Sequence, residues 1–159
     1  MKPTLYMEST IPSYLVSRSS RDVVIAGHQQ LTRDWWETRR NRFDIFVSQL
    51  VIDEISAGDA TASSARMEIV RALRMLEITK EVNTLSVRLL ASGIIPRRAA
   101  VDAAHIALSA VHSIDFLLTW NCTHIANAEI AKRIAEICSK HGFDCPIICT
   151  PQELMGDQS

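Results

Sequence analysis

Residues 96–127 read PRRAAVDAAHIALSAVHSIDFLLTWNCTHIAN, and this stretch decides the fold. Its first half predicts a helix, because apolar residues recur there at three- and four-residue spacing. These residues are Ala103, Ile106, Ala107, Ala110, Val111 and Ile114. The run Phe116-Leu117-Leu118-Thr119 that follows is too short for a helix and is typical of a strand buried on both faces. The stretch therefore predicts a helix that leads directly into a central strand.

Polar residues mark both ends of this unit. Asp102 lies in the first turn of the predicted helix, and Asn121 lies where the strand stops. Open α/β folds place their sites in a crevice outside the carboxyl ends of parallel strands, where such residues gather. A site at this edge requires that other strands end in the same way.

The composition is that of an ordinary globular protein. The chain has 159 residues, of which 47% are apolar and 22% are charged, and its formal net charge is −1. These values predict a single domain over residues 1–159, with a hydrophobic core large enough to be stable without disulfides or a structural metal. No apolar run approaches the ~18 residues of a membrane helix, and Glu8 comes too early for a secretion signal. We therefore expect a cytoplasmic protein with no membrane segment.

Two common kinds of site find no support in the sequence. The four cysteines, Cys122, Cys138, Cys145 and Cys149, match no zinc or redox spacing, which favours reduced thiols packed as small apolar residues. The five glycines form neither G-x-G-x-x-G nor a P-loop, so a nucleotide cofactor is not indicated. The small net charge excludes a strongly basic chain, but nucleic-acid binding needs only a local positive surface.

Predicted strands and helices alternate along the chain. Strands are predicted at 4–7, 44–48 and 146–150, with a short one at 76–78. Helices are predicted at about 11–17, 21–42, 49–57, 61–76, 80–92 and 127–141. Ser48 is expected to cap the helix after it, and Ser9 and Thr10 to satisfy the first N–H groups of the helix that contains Pro12. Such alternation predicts a mostly parallel sheet that is covered by helices on both faces.

Three acidic residues are expected at the same carboxyl edge of this predicted sheet. Glu8 follows the first strand, Glu54 lies in the helix after the second strand, and Asp102 opens the helix before the central strand. Three carboxylates in one crevice repel each other unless a cation compensates them. Mg²⁺ and Mn²⁺ prefer such oxygen ligands, whereas zinc prefers histidine and cysteine. Because bound divalent ions assist phosphodiester hydrolysis, the cluster predicts a metal-dependent nuclease.

Four segments resemble, in order, the motifs of the PIN domain family. They are Tyr6-Met7-Glu8-Ser9-Thr10, Val51-x-x-Glu54-Ile55, Asp102-Ala103-x-His105-Ile106-Ala107 and Leu117-Leu118-Thr119-Trp120-Asn121. The resemblance covers essentially the whole chain. It implies a Rossmann-like three-layer α/β/α sandwich with a mostly parallel central sheet, and a ribonuclease that depends on Mg²⁺ or Mn²⁺. Many bacterial members resemble VapC-type toxins, so the resemblance also implies RNA as substrate and an antitoxin protein as partner.

The resemblance assigns roles by position. Glu8, Glu54 and Asp102 correspond to the metal-binding acids, and Asn121 falls among the catalytic positions, where many members have a further acid. This chain departs from the family pattern twice, because Glu8 replaces the commoner aspartate and Asn121 carries no charge. A site with a formal charge of about −3 should hold one ion more readily than two.

Four further residues are candidates for substrate binding. Thr10 and His105 lie beside the acids, although a hydroxyl there also suits a cap and a histidine there also suits a packed core. Arg97 and Arg98 precede the helix of Asp102, where they are placed to contact phosphates at the rim. Trp120 suits either a lid or the core. Trp35 and Trp36 suit base stacking, burial in the core, or an interface with a partner or with a second copy in a homodimer.

Two other functions compete with a ribonuclease. The neutral Asn121 motivates the first, a PIN-like module with weak or absent catalysis that acts in RNA binding or regulation. The second is a phosphatase on a similar α/β scaffold, and it lacks a D-x-D nucleophile motif.

Overall fold

Five strands form the centre of the fold in this computed structural model, which describes residues 1–157. They are β1 Thr4–Met7, β2 Asp44–Ser48, β3 Arg74–Leu76, β4 Phe116–Leu118 and β5 Ile147–Cys149. All neighbouring strands pair in parallel, in the order β3-β2-β1-β4-β5. The predicted parallel sheet is therefore confirmed, and β1 is its central strand.

Helices connect the strands at every step. They are α1 Thr10–Val16, α2 Val23–Arg39, α3 Gln49–Ile55, α4 Ala60–Val70, α5 Lys80–Ala91, α6 Ala100–Val111 and α7 Ala128–Lys140. Short 3₁₀ turns at Arg40–Arg42 and Arg97–Ala99 extend α2 and precede α6. No helix within residues 1–157 is long and apolar enough to cross a membrane.

The strand order reverses after β3, and this reversal creates the three layers. The chain moves outward from β1 to β3, returns to pair β4 with β1, and then continues to β5. Parallel crossovers are almost always right-handed, so the reversal puts α1–α4 on one face of the sheet and α5–α7 on the other. The contacts agree, because α1 packs on α2 and α4 while α5 packs on α6 and α7. The Rossmann-like α/β/α sandwich is confirmed.

The core lies on both faces of β1. Leu5, Tyr6 and Met7 are fully buried, as are Leu117 and Leu118 of β4. Trp35 of α2 is also fully buried in this core. The four cysteines are free thiols, with Cys138 and Cys149 buried and Cys122 exposed.

The greatest departure from the predicted elements is between 61 and 78. The pattern predicts a helix to Leu76 and a strand at 76–78, but α4 ends at Val70 and β3 spans Arg74–Leu76. Arg74 and Met75 are good helix formers, so local preference favours the longer helix. Pairing with β2 overrides this preference, because Phe46 aligns with Arg74 and Ser48 aligns with Leu76.

Candidate metal centre

The carboxyl ends of β1, β2 and β4 meet at one edge of the sheet. Met7 pairs with Leu118, and the N–H of Glu8 donates to the carbonyl of Leu118 at 3.1 Å. Glu8 and Thr119 therefore leave adjacent strands side by side. Glu54 comes to the same edge on α3, which begins directly after β2, and Asp102 comes on the first turn of α6.

Four donors hold the Glu8 carboxylate. Its Oε1 accepts from the Thr10 hydroxyl at 2.5 Å, the Thr10 backbone N–H at 3.1 Å and the Thr119 hydroxyl at 2.7 Å. Among residues 1–157, its Oε2 accepts only from the Ser9 hydroxyl, at 3.0 Å. The side chain is 2% exposed, so the cage fixes its position. Oε2 keeps lone pairs for a further partner.

Two predicted caps are wrong, and the same cage explains one of them. Ser9 makes no capping bond at α1, because its hydroxyl donates to Glu8. The carboxylate of Glu8 instead accepts the N–H of Thr10 at the start of that helix. Ser48 makes no capping bond at α3, because its hydroxyl bonds to Tyr6 Oη at 2.7 Å. Hydroxyls expected to serve the backbone thus serve the site.

Glu54 is held from the buried side by a histidine. His105 Nε2 lies 2.6 Å from Glu54 Oε1, and His105 Nδ1 lies 2.7 Å from Tyr6 Oη. His105 is fully buried, whereas the Glu54 side chain is 36% exposed. Glu54 therefore reaches from the buried histidine towards solvent.

The candidate metal ligands are not all equally close to one another. Glu8, Glu54 and His105 each offer one ligand atom, and these atoms lie within 4.8 Å of one another. Asp102 is outside this tight group, but it is half-buried and lies near enough to the Asn121 side chain for that amide to offset part of the rise in its pKa. Asn121 Oδ1 accepts the backbone N–H of His124 at 3.0 Å, so the Asn121 amide sits between a turn and the Asp102 carboxylate.

The pKa values of two site carboxyls shift in opposite directions. Burial raises the pKa of Asp102 above its ordinary value, the negative charge of Glu8 adds to the rise, and the Asn121 hydrogen bond and the charge of His105 offset it only in part. Burial acts in the same way on Glu54, but the hydrogen bond and charge of His105 outweigh it and lower the Glu54 pKa. Unlike the lowered pKa of Glu54, the raised pKa of Asp102 shows that its surroundings disfavour the charged carboxylate.

Neither lysine nor arginine neutralises the charge of the cluster in the part of the chain that the structure describes. Within residues 1–157, no lysine or arginine forms an ion pair with Glu8, Glu54 or Asp102. Gathered carboxylates without a basic partner are the donor set that a hard divalent cation fits. The oxygen donors favour Mg²⁺ or Mn²⁺, and the only nitrogen donor in the group, His105, already has two protein partners.

An aromatic stack closes one side of the edge. Trp120 lies between His28 and Tyr14, with ring centroids 4.0 Å and 6.2 Å away. Its indole N–H donates to the Thr32 hydroxyl at 2.7 Å, and its backbone N–H donates to the Thr10 hydroxyl at 2.9 Å. Trp120 is 8% exposed, which places it in the core and ties the stack to the Glu8 cage.

The four residues expected to bind substrate fall into two groups. Arg97 and Arg98 are exposed in the 3₁₀ turn that precedes α6, and their role in substrate binding stays a prediction. The Thr10 hydroxyl donates to Glu8 and accepts from Trp120, and both ring nitrogens of His105 have protein partners. The contacts of Thr10 and His105 are therefore with the carboxylates and the residues that support them.

Two buried residues beside the site, Tyr6 and Ser48, are not among the site residues predicted from the sequence, although Tyr6 belongs to the first motif. Tyr6 and Ser48 complete the line of hydrogen bonds that ends at Glu54. One signal for Tyr6 is present in the sequence, because strand alternation puts it on the same face as Glu8. A tyrosine inside an apolar strand also needs a partner for its hydroxyl.

Comparison with known proteins gives a fold and no family. No family model matches the chain, and no curated protein matches it either. Nine chains of solved structures match. One comes from the crystal structure of VapBC2 from Rickettsia felis bound to a DNA fragment from their promoter, with 14% sequence identity and a TM-score of 0.59. The match covers 92% of this chain and 98% of the other, so the two share a fold over nearly their whole length.

Proposed function

We propose that this protein is a metal-dependent ribonuclease in which Glu8, Glu54 and Asp102 bind Mg²⁺ or Mn²⁺. The observation that carries the proposal is the close approach of Glu8 and Glu54, with ligand atoms inside a 4.8 Å group and no lysine or arginine paired with either carboxylate among residues 1–157. Asp102 lies in the first turn of α6, and the raised pKa of its carboxyl fits a position that awaits a cation.

Each side chain has a task in this proposal. Glu8 is the fixed ligand, because its cage leaves Oε2 available and little freedom of movement. Glu54 and Asp102 complete an oxygen-rich ligand set, and Asn121 orients Asp102 through its amide. When bound, the ion supplies activation of water and polarisation of the phosphoryl oxygen. Arg97 and Arg98 bind the phosphates of RNA at the rim.

The catalytic proposal is tested with RNA cleavage in Mg²⁺ or Mn²⁺. Wild type should cleave single-stranded RNA, and Glu54→Gln and Asp102→Asn should each lose most of that activity. Asp53→Asn is the matched control, because Asp53 is the exposed neighbour of Glu54 on α3 and its carboxylate accepts a hydrogen bond from Gln49. Cleavage by wild type no faster than by Asp102→Asn would contradict the proposal.

Asn121 favours a second candidate function, a PIN-like module that binds RNA or regulates with little or no hydrolysis. Its neutral amide leaves the site one charge short of a four-acid cluster. Calorimetric titration with Mn²⁺ separates the two functions. Binding that is lost in Glu54→Gln supports the nuclease, and no binding at millimolar Mn²⁺ supports the module.

The partner proposal is an antitoxin protein. It is supported by the fold shared with a chain of the VapBC2 complex and by an exposed apolar run at the start of α2. In that run Val23 is 85% exposed, Val24 65% and Ile25 38%. If a neighbouring reading frame encodes a small DNA-binding protein, that product should co-purify with this chain and suppress its cleavage of RNA. Undiminished cleavage of RNA in the presence of that product would contradict its role as an antitoxin.

A further inference from the structure

A continuous line of hydrogen bonds runs behind the candidate metal centre. Ser48 Oγ lies 2.7 Å from Tyr6 Oη, Tyr6 Oη lies 2.7 Å from His105 Nδ1, and His105 Nε2 lies 2.6 Å from Glu54 Oε1. Ser48, Tyr6 and His105 are each 0% exposed. The line thus joins β2, β1, α6 and α3, and only its last member reaches solvent.

The hydrogen bonds along this line determine which ring nitrogen of His105 carries a proton. The Glu54 carboxylate can only accept, so the hydrogen bond at 2.6 Å requires a proton on His105 Nε2. A neutral ring then has a bare Nδ1, which accepts the Tyr6 hydroxyl proton, and the Tyr6 oxygen accepts from Ser48. In the alternative, a doubly protonated ring donates from Nδ1 to Tyr6, which donates to Ser48. Nε2 carries its proton in both arrangements.

The proton on Nε2 decides what His105 can do for a cation. A protonated ring nitrogen has no lone pair to give a metal. The other nitrogen, Nδ1, faces Tyr6 in the core. His105 therefore lies close to Glu8 and Glu54, but in this arrangement neither of its ring nitrogens has a lone pair available to bind a cation.

We propose that His105 is a positioning residue, whose Nε2–H holds Glu54 Oε1 so that Glu54 Oε2 is presented to the cation, while Tyr6 and Ser48 keep the ring in this state. Such outer partners orient metal ligands in many proteins, and losing one typically costs about 10- to 100-fold in metal affinity. The role of Glu54 as a ligand rests on the proposed function. The protonation of Nε2 does not.

Nitrogen-15 NMR on the metal-free protein tests the protonation directly. Long-range proton–nitrogen correlations at pH 8 should show a proton on Nε2 of His105, with the signal assigned by its absence in His105→Gln. Addition of Mg²⁺ should leave that proton in place. A ring protonated only on Nδ1, or loss of the Nε2 proton on Mg²⁺ addition, would overturn the proposal.

Metal affinity separates a positioning residue from a ligand. Glutamine places an amide N–H near the position of Nε2, so His105→Gln should bind Mn²⁺ nearly as tightly as wild type in calorimetry. His105→Leu lacks any donor and should bind about 10- to 100-fold more weakly. Ser109→Ala is the matched control, because Ser109 is buried one turn along α6 and its hydroxyl donates to the His105 carbonyl rather than to the ring. Equal losses in the Gln and Leu variants would overturn the proposal.

A milder variant covers the case in which His105→Leu fails to fold. Tyr6→Phe keeps the packed ring and removes only the hydroxyl that faces Nδ1. Its His105 should keep the Nε2 proton that Glu54 requires but lose the partner of Nδ1, so Mn²⁺ affinity should fall, and affinity equal to that of wild type would overturn the role of Tyr6. If wild type binds no Mn²⁺ while its Nε2 proton is present, the proposed metal site fails and the hydrogen-bond assignment stands.

Discussion

Thr119 donates a 2.7 Å hydrogen bond to Glu8 across 111 positions of sequence. The bond is buried, and it exists because β4 pairs directly with β1, so the residues that follow the two strands emerge together. The Thr119 hydroxyl also accepts the N–H of Asn121 at 2.9 Å. One hydroxyl thus ties the fixed acid of the first strand to the turn that carries Asn121.

Thr119→Val tests the structural weight of this hydroxyl. Valine keeps the shape but leaves a buried carboxylate oxygen with one donor fewer and the Asn121 N–H without its acceptor. We expect the free energy of unfolding to fall by about 1–3 kcal/mol in urea titration. Thr84→Val, which removes an exposed hydroxyl bonded to the Lys80 carbonyl on α5, should change it by less than about 0.5 kcal/mol. Equal effects in the two variants would show that the cage contributes nothing particular.

The sequence predicts the order of elements well and the supporting contacts of the site poorly. Helix and strand periods in 96–127 depend on local spacing, and the structure has α6 and β4 where those periods put them. The direction of a hydroxyl depends on what lies across the sheet, which no local pattern records. Ser48 shows the difference, because its position suits a helix cap while its actual partner is Tyr6, 42 residues away.

β3 shows a second limit of the sequence. Arg74 and Met75 favour a helix, and only the paired edge of β2 makes them a strand. The three acids could be grouped from the sequence, because the ends of parallel strands meet at one edge. The distances between them could not be predicted from the sequence. In the structure His105, and not Asp102, lies in the tight group with Glu8 and Glu54.

Asp102→Asn should separate stability from function. The pKa of Asp102 is raised in the folded protein, so its ionised form costs stability above that pKa and the cost disappears as the pH falls through it. In EDTA at pH 7 the variant should therefore unfold at higher urea than wild type. The two should converge as the pH falls and the wild-type carboxyl gains its proton.

The same variant should lose Mn²⁺ affinity by at least about 10-fold in calorimetry, because the amide has no charge for the ion. Asp44→Asn is the matched control, because it also removes one carboxylate, at the opposite, amino end of β2. A variant that is less stable than wild type at pH 7 in EDTA would contradict the raised pKa.

Asn121→Asp tests whether the missing charge limits the site. The new carboxylate can still accept the N–H of His124, but it can no longer donate to Asp102 and it repels that group. We expect the metal-free variant to unfold at lower urea than wild type, and Mn²⁺ affinity to rise on the order of tenfold. Weaker Mn²⁺ binding than wild type would show that the amide itself is needed at this position.

The double variant Arg97→Gln with Arg98→Gln tests the rim. If both arginines contact phosphates, binding of a short single-stranded RNA should weaken, and the slope of log affinity against log salt should fall by about 1.4. The measurement is made in Ca²⁺ with Glu54→Gln as background, so that cleavage does not consume the RNA. Lys132→Gln with Arg133→Gln removes the same charge from an exposed pair on α7 and should leave the slope close to that of the background protein. If both double variants lower the slope equally, the effect is one of net charge, and Arg97 and Arg98 make no particular contact with the RNA backbone.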